Sequence, residues 1–182
     1  DNSIGFLGGW GAHPLDIAVW PMKPDQAVPV EYEGTGTIPT EGLFNTVTTW
    51  NIRGKYASGV EFIFKDGGDL TIFTGAKGSV SVSRGGLTSN PESIVKTRLG
   101  PDAKRLPAST NHGQNFIDAI KTRVQPVSNI DDAVRSDTIS HLSDIAIRTG
   151  RKIKWDWQKE VIVGDEQAGR MTRRALRAPW RL

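Results

Sequence analysis

A chain of 182 residues, 37% hydrophobic and 24% charged, is long enough to bury a core without disulfide or metal support. It has no cysteine, which excludes disulfides, thiolate metal sites and cysteine nucleophiles. No run approaches the ~18 apolar residues that would span a bilayer. The net charge of +3 is most concentrated in the last thirteen residues, where Arg170, Arg173, Arg174, Arg177 and Arg181 occur with no acid among them. Nucleic-acid binding needs such a cluster, but no aromatic-rich nucleic-acid motif accompanies it. A solvated or inter-subunit arginine face is the simpler reading, so neither a nucleic-acid nor a membrane partner is expected.

In chain order, residues 1–23 read as a Gly-rich lead into a short amphipathic helix. Leu15, Ile17, Ala18 and Val19 form its apolar side, and Pro21 and Pro24 stop it. From about residue 28 to 84 the period changes to two. Val60, Phe62 and Phe64 alternate with Glu61, Ile63 and Lys65, then Asp66-Gly67-Gly68-Asp69 turns the chain before Leu70, Ile72 and Thr74. That pattern predicts a β-hairpin, with further strands at 28–32, 46–52 and 78–83. Residues 85–108, rich in Gly and Pro, read as one long loop. Helices are predicted over 111–123 and 131–149, the first with Phe116, Ile117, Ile120 and Val124 at helical spacing behind Ser109 and Thr110 as capping candidates. The second carries Ile139, Leu142, Ile145 and Ala146 on one stripe and stops at Gly150. A short strand at 152–157 and a helix at about 165–174 complete the chain. Strands followed by helices predict an α+β fold, one large, mostly antiparallel sheet with helices packed on one face.

Few segments carry a chemical signature. Gly9-Trp10-Gly11-Ala12-His13-Pro14 lacks the third small residue of a dinucleotide loop, and no βαβ unit follows it. If His13 opens the helix, Asp16 lies one turn later on nearly the same face, a pair able to orient an imidazole as a general acid–base group. The competing reading makes Asp16 a helix cap and His13 structural. His112, beside Asn111 and Gln114, either contacts a substrate or belongs to a helix start. Asp137, His141 and Asp144 share a helix face, but no further ligand cluster supports a metal site there, and none is expected. No nucleophile elbow and no paired-carboxylate arrangement is visible. Trp155 and Trp157, two apart in a predicted strand, keep a non-catalytic carbohydrate-binding or scaffold module open as the alternative function.

The run Trp10-Gly11-Ala12-His13-Pro14-Leu15-Asp16-Ile17-Ala18 resembles the C-terminal domain of the glucose–fructose oxidoreductase, inositol dehydrogenase and MocA family. His112-Gly113-Gln114-Asn115-Phe116-Ile117-Asp118-Ala119-Ile120, Arg135-Ser136 and His141-Leu142 are similar to it too. So are the run from Ile145 to Asp156, Gly164-Asp165-Glu166-Gln167-Ala168, and Arg177-Ala178-Pro179-Trp180. The resemblance implies that residues 1–182 form a single substrate-binding and oligomerisation domain of an NAD- or NADP-dependent sugar or polyol oxidoreductase. It implies His13 as the catalytic histidine with Asp16 in support, and the site's setting makes Trp10 and His112 substrate-binding candidates. The family often has an acid four residues before that histidine, where this chain has Gly9. The family's N-terminal Rossmann domain and its lysine are absent from these residues. The chain is therefore expected to be a truncation or proteolytic remnant, inactive alone, with its missing cofactor domain and a second copy of itself as partners. Localisation stays open.

Overall fold

A computed structural model describes residues 3–22 and 28–180; Pro24 and Arg181, singled out above, lie outside the described residues. The Gly-rich lead is not extended but forms a one-turn helix, α1 (Phe6–Gly9), followed directly by α2 (Ala12–Val19). Then come β1 (Glu31–Thr37), β2 (Thr49–Lys55) and β3 (Glu61–Lys65), which form a continuous antiparallel meander. After β4 (Thr71–Gly75), β5 (Gly78–Ser83) and β6 (Gly86–Asn90) the chain turns helical, with α3 (Ser93–Lys96), α4 (His112–Thr122) and α5 (Ile130–Thr149). It ends with the hairpin of β7 (Ile153–Asp156) and β8 (Val161–Val163), and α6 (Glu166–Arg170).

The fold is α+β, as the alternation predicts, but it holds two sheets. One has five strands in the order β3-β2-β1-β7-β8, the other has three in the order β4-β5-β6, and every pairing is antiparallel. The hairpin expected across Asp66–Asp69 does not form. Asp66 stays with β2: its N–H donates to the Trp50 carbonyl at 3.0 Å, and its Oδ1 accepts from the Trp50 N–H at 3.2 Å. Asp69 instead accepts from the backbone of Arg84 at 3.3 Å, so β4 is drawn to β5 rather than back to β3. The long loop predicted over 85–108 is also corrected. The chain reverses at Gly85-Gly86, and residues 86–90 find a partner in β5 before the turn of α3.

The five-stranded sheet buries one face. Tyr32, Trp50, Ile52, Phe62 and Phe64 alternate inward from β1 to β3, joined by Ile153 and Ile162 from the last hairpin. The long helix α5 covers them with Ile139, Leu142, Ile145 and Ala146, all 5% exposed or less, which is the stripe its sequence predicts. It starts at Asn129, whose side chain accepts from the Asp132 N–H, and stops at Gly150, whose φ of 63° is a left-handed stop that favours glycine. Leu7, Leu15 and Val19 bring α1 and α2 into the same core. The helix α4 contrasts: it forms over the predicted residues, capped by Asn111 rather than Ser109 or Thr110, yet buries none of its side chains. No helix of the described residues is long and apolar enough to cross a membrane.

Candidate functional site

The best-defined polar cluster sits at the start of α2. The close turn from α1 into α2 requires Gly11, because a Cβ there would collide with the Leu7 carbonyl oxygen and crowd Phe64. That turn presents His13 in the first turn of α2 with its side chain exposed. Trp10 holds the imidazole edge-on, with ring centroids 5.4 Å apart. Phe6 stacks against the same indole at 5.8 Å, its ring nearly parallel to it. Of the four residues singled out from the sequence, three meet here: Trp10, His13 and Asp16.

Asp16 lies one turn beyond His13 and is electrostatically coupled to it. Desolvation raises the Asp16 carboxyl above the usual aspartate value, and the nearby Asp132 adds to the rise while His13 opposes it. Asp16 is not the helix cap: the N-cap of α2 is Gly11, and among the described residues no backbone N–H donates to the Asp16 carboxylate. Asp132 is itself held in place, with Arg135 Nη1 at 2.7 Å and the Asn129 amide donating at 2.8 Å. Asp132 carries two jobs, an acid in the first turn of α5 and a neighbour of Asp16. Only the first is visible in sequence, since α2 and α5 are over a hundred residues apart.

His112, the fourth, makes no direct contact of these kinds with the cluster. It stands exposed in the first turn of α4, and no hydrogen bond, ion pair or ring contact among the described residues joins it to Trp10, His13 or Asp16. Asp137 and His141 pair with each other at 3.4 Å, while Asp144 turns away to Arg148 at 2.8 Å. Among the described residues no group of three or more His, Asp or Glu side chains gathers at one point. Trp155 and Trp157 do share one face, lining a cleft of about 550 Å³ with Arg135, Glu160 and Arg173 beside α5.

Two further residues reach the His13 cluster from the second sheet. Arg84, in the turn between β5 and β6, places its guanidinium carbon 5.1 Å from the Trp10 ring centroid. Asp69 anchors it with Oδ2 at 3.0 Å from Arg84 Nε. Neither is legible as a site residue in sequence, because the turn Ser83-Arg84-Gly85-Gly86 reads only as a turn. All strand pairs among the described residues are antiparallel, so no parallel strand–helix–strand unit occurs among them.

Comparison with known proteins bears on the fold and the family. No curated protein sequence matches the chain. Among solved structures, an aldose-aldose oxidoreductase from Caulobacter crescentus, complexed with glycerol, superposes with a TM-score of 0.57 at 18% identity, over 79% of this chain and 45% of its own. An NAD-binding protein from Listeria innocua gives 0.57 at 11% identity, over 82% and 51%. A probable dehydrogenase from Thermotoga maritima gives 0.51 at 11% identity, over 87% and 51%. The chain thus spans about half the length of these structures, and at such identities the likeness concerns the fold. The model of the oxidoreductase family's C-terminal alpha/beta domain matches residues 1–182. The chain belongs to the Gfo/Idh/MocA oxidoreductase family as its C-terminal domain.

Proposed function

We propose that this chain is the substrate-binding and oligomerisation domain of an NAD- or NADP-dependent oxidoreductase acting on a sugar or polyol. The observation that carries the reading is the exposed His13 held by Trp10 and coupled to Asp16, at the start of α2 in a chain matched throughout by the family. An imidazole titrates near neutral pH and can take a proton from a substrate hydroxyl or return it. Asp16, one turn away, is the acidic side chain next to His13 on the same helix, and His13 is among the charges that act on its carboxyl. Trp10 limits the swing of the ring. The nicotinamide cofactor supplies the redox chemistry. In this reading a separate domain of the parent protein holds it, since no parallel strand–helix–strand unit occurs among the described residues.

The exposed face of the five-stranded sheet suits self-association. Glu61, Lys55, Glu31 and Lys154 lie side by side across four strands with alternating sign, and Ile63, Arg53 and Glu33 form the next row. A two-fold axis can set such rows against their own copies with opposite charges in register.

The reading is tested in the complete protein with NAD or NADP and a panel of sugars and polyols. His13→Ala should lower kcat by about two orders of magnitude or more with a smaller change in KM. Turnover that is unchanged by this substitution removes His13 from the mechanism.

A further inference from the structure

The second sheet is tied to the histidine helix at one point and hangs a charged turn over the neighbouring indole. Thr71 Oγ1 in β4 donates to the carbonyl of Pro14 at 3.0 Å, one residue beyond His13. That tie brings the β5–β6 turn with it, so a single indole, Trp10, carries both the His13 imidazole at 5.4 Å and the Arg84 guanidinium at 5.1 Å.

Asp69 holds Arg84 by its inner side only. Oδ2 lies 3.0 Å from Nε and accepts the Arg84 backbone N–H at 3.3 Å. The two terminal nitrogens have no hydrogen-bond partner among the described residues, and the side chain is 66% exposed. An arginine fixed through Nε offers its terminal N–H groups as a planar fork, which matches two oxygens on adjoining atoms. A lysine at the same place would offer no such fork.

Charge decides which oxygens. Asp69 balances Arg84, and Arg135 balances Asp132. Asp16, one turn after His13, is the remaining acid of the cluster, and no ion pair among the described residues holds it. A carboxylate ligand would be brought up to an acid, whereas two neighbouring hydroxyls avoid that repulsion. We propose that Arg84 is a specificity-determining residue that binds a vicinal diol of a neutral sugar or polyol, at the end away from the hydroxyl served by His13. The assignment rests on the oxidoreductase reading above and names the part of the substrate that the second sheet recognises.

The test is calorimetric binding to the complete protein of D-glucose, D-glucitol and myo-inositol, singly deoxygenated D-glucose analogues, and D-glucuronate. Arg84→Ala should weaken the best neutral ligand about tenfold, the scale of losing a charge-assisted pair of hydrogen bonds, and Arg84→Lys should restore little of it. An analogue lacking one hydroxyl of the pair should bind wild type and Arg84→Ala equally. Because Arg84 is exposed, the variants should keep the wild-type melting midpoint. Equal affinity of wild type and Arg84→Ala, or no binding of any neutral ligand to wild type, overturns the proposal. So does D-glucuronate binding tighter than D-glucose in an Arg84-dependent way. Failure of the oxidoreductase reading looks different: Arg84-dependent binding of a sugar with no reduction of NAD or NADP.

Discussion

The five-stranded and three-stranded sheets are written in the same alternating pattern, yet they end in different surroundings. In the first, Trp50 and Ile52 of β2 and Phe62 and Phe64 of β3 are buried in one core that the apolar stripe of α5 completes. In the second, no residue of β4, β5 or β6 is fully buried, and Ile72 and Leu87 stay more than half exposed. Alternation sorts side chains between two faces, but only a covering layer converts one of those faces into a core. The second sheet relies on its ladders, on α3 and on the Thr71–Pro14 tie to α2. The less buried sheet is also the one that brings Arg84 to the candidate site, in keeping with the tendency of functional groups to sit on lightly packed elements.

The largest effect that separates the two sheets should come from matched isoleucines. Ile52→Ala, at a site with no exposure in β2, should cost about 3–4 kcal/mol by cavity formation and lost transfer energy. Ile72→Ala, at 55% exposure in β4, should cost less than about 1 kcal/mol. Urea unfolding of the chain measures both. Equal losses would mean that the second sheet is covered in solution.

Much of this division escapes a reading of the sequence for identifiable reasons. The α5 stripe is legible because Ile139, Leu142, Ile145 and Ala146 repeat at helical spacing and all meet one sheet. The Asp66–Asp69 turn misleads because Gly67-Gly68 suits a hairpin, while the hydrogen bonds of Asp66 to Trp50 and the ion pair of Asp69 with Arg84 are non-local. At the candidate site, Trp10, His13 and Asp16 lie within seven residues and can be grouped from local spacing. Arg84 and Asp132 reach the same place only through tertiary packing.

Alkaline pH should act on the first sheet and leave the second untouched, because the chain's two tyrosines, Tyr32 and Tyr56, both belong to the core of the five-stranded sheet. Burial pushes the Tyr56 phenol from 10.0 up to about 12 and raises Tyr32 well above its ordinary value. The raised folded-state pKa means that the unfolded chain loses its proton first. Stability is therefore full below pH 10 and falls as pH rises toward 12. Two pH units at one group correspond to about 2–3 kcal/mol. Tyr56→Phe should flatten part of the decline between pH 10 and 12, read as the pH dependence of the urea midpoint. A decline as steep as wild type would place its origin outside Tyr56.

The smallest expected effect extends the comparison to the helices. On α4, Phe116, Ile117 and Ile120 form an apolar stripe as regular as that of α5, yet they are 57%, 43% and 48% exposed. An exposed isoleucine has little transfer energy left to lose, and serine is close to isoleucine in helix propensity. Ile120→Ser should therefore change the stability of the chain by less than about 0.5 kcal/mol, against several for a fully buried position such as Ile139. The same pair measured by urea unfolding separates two sources of helix stability. A small loss at Ile120 means that α4 stands on its Asn111 cap and local hydrogen bonds. A loss above about 2 kcal/mol means that its stripe is covered in solution, as a stripe of that regularity is in α5.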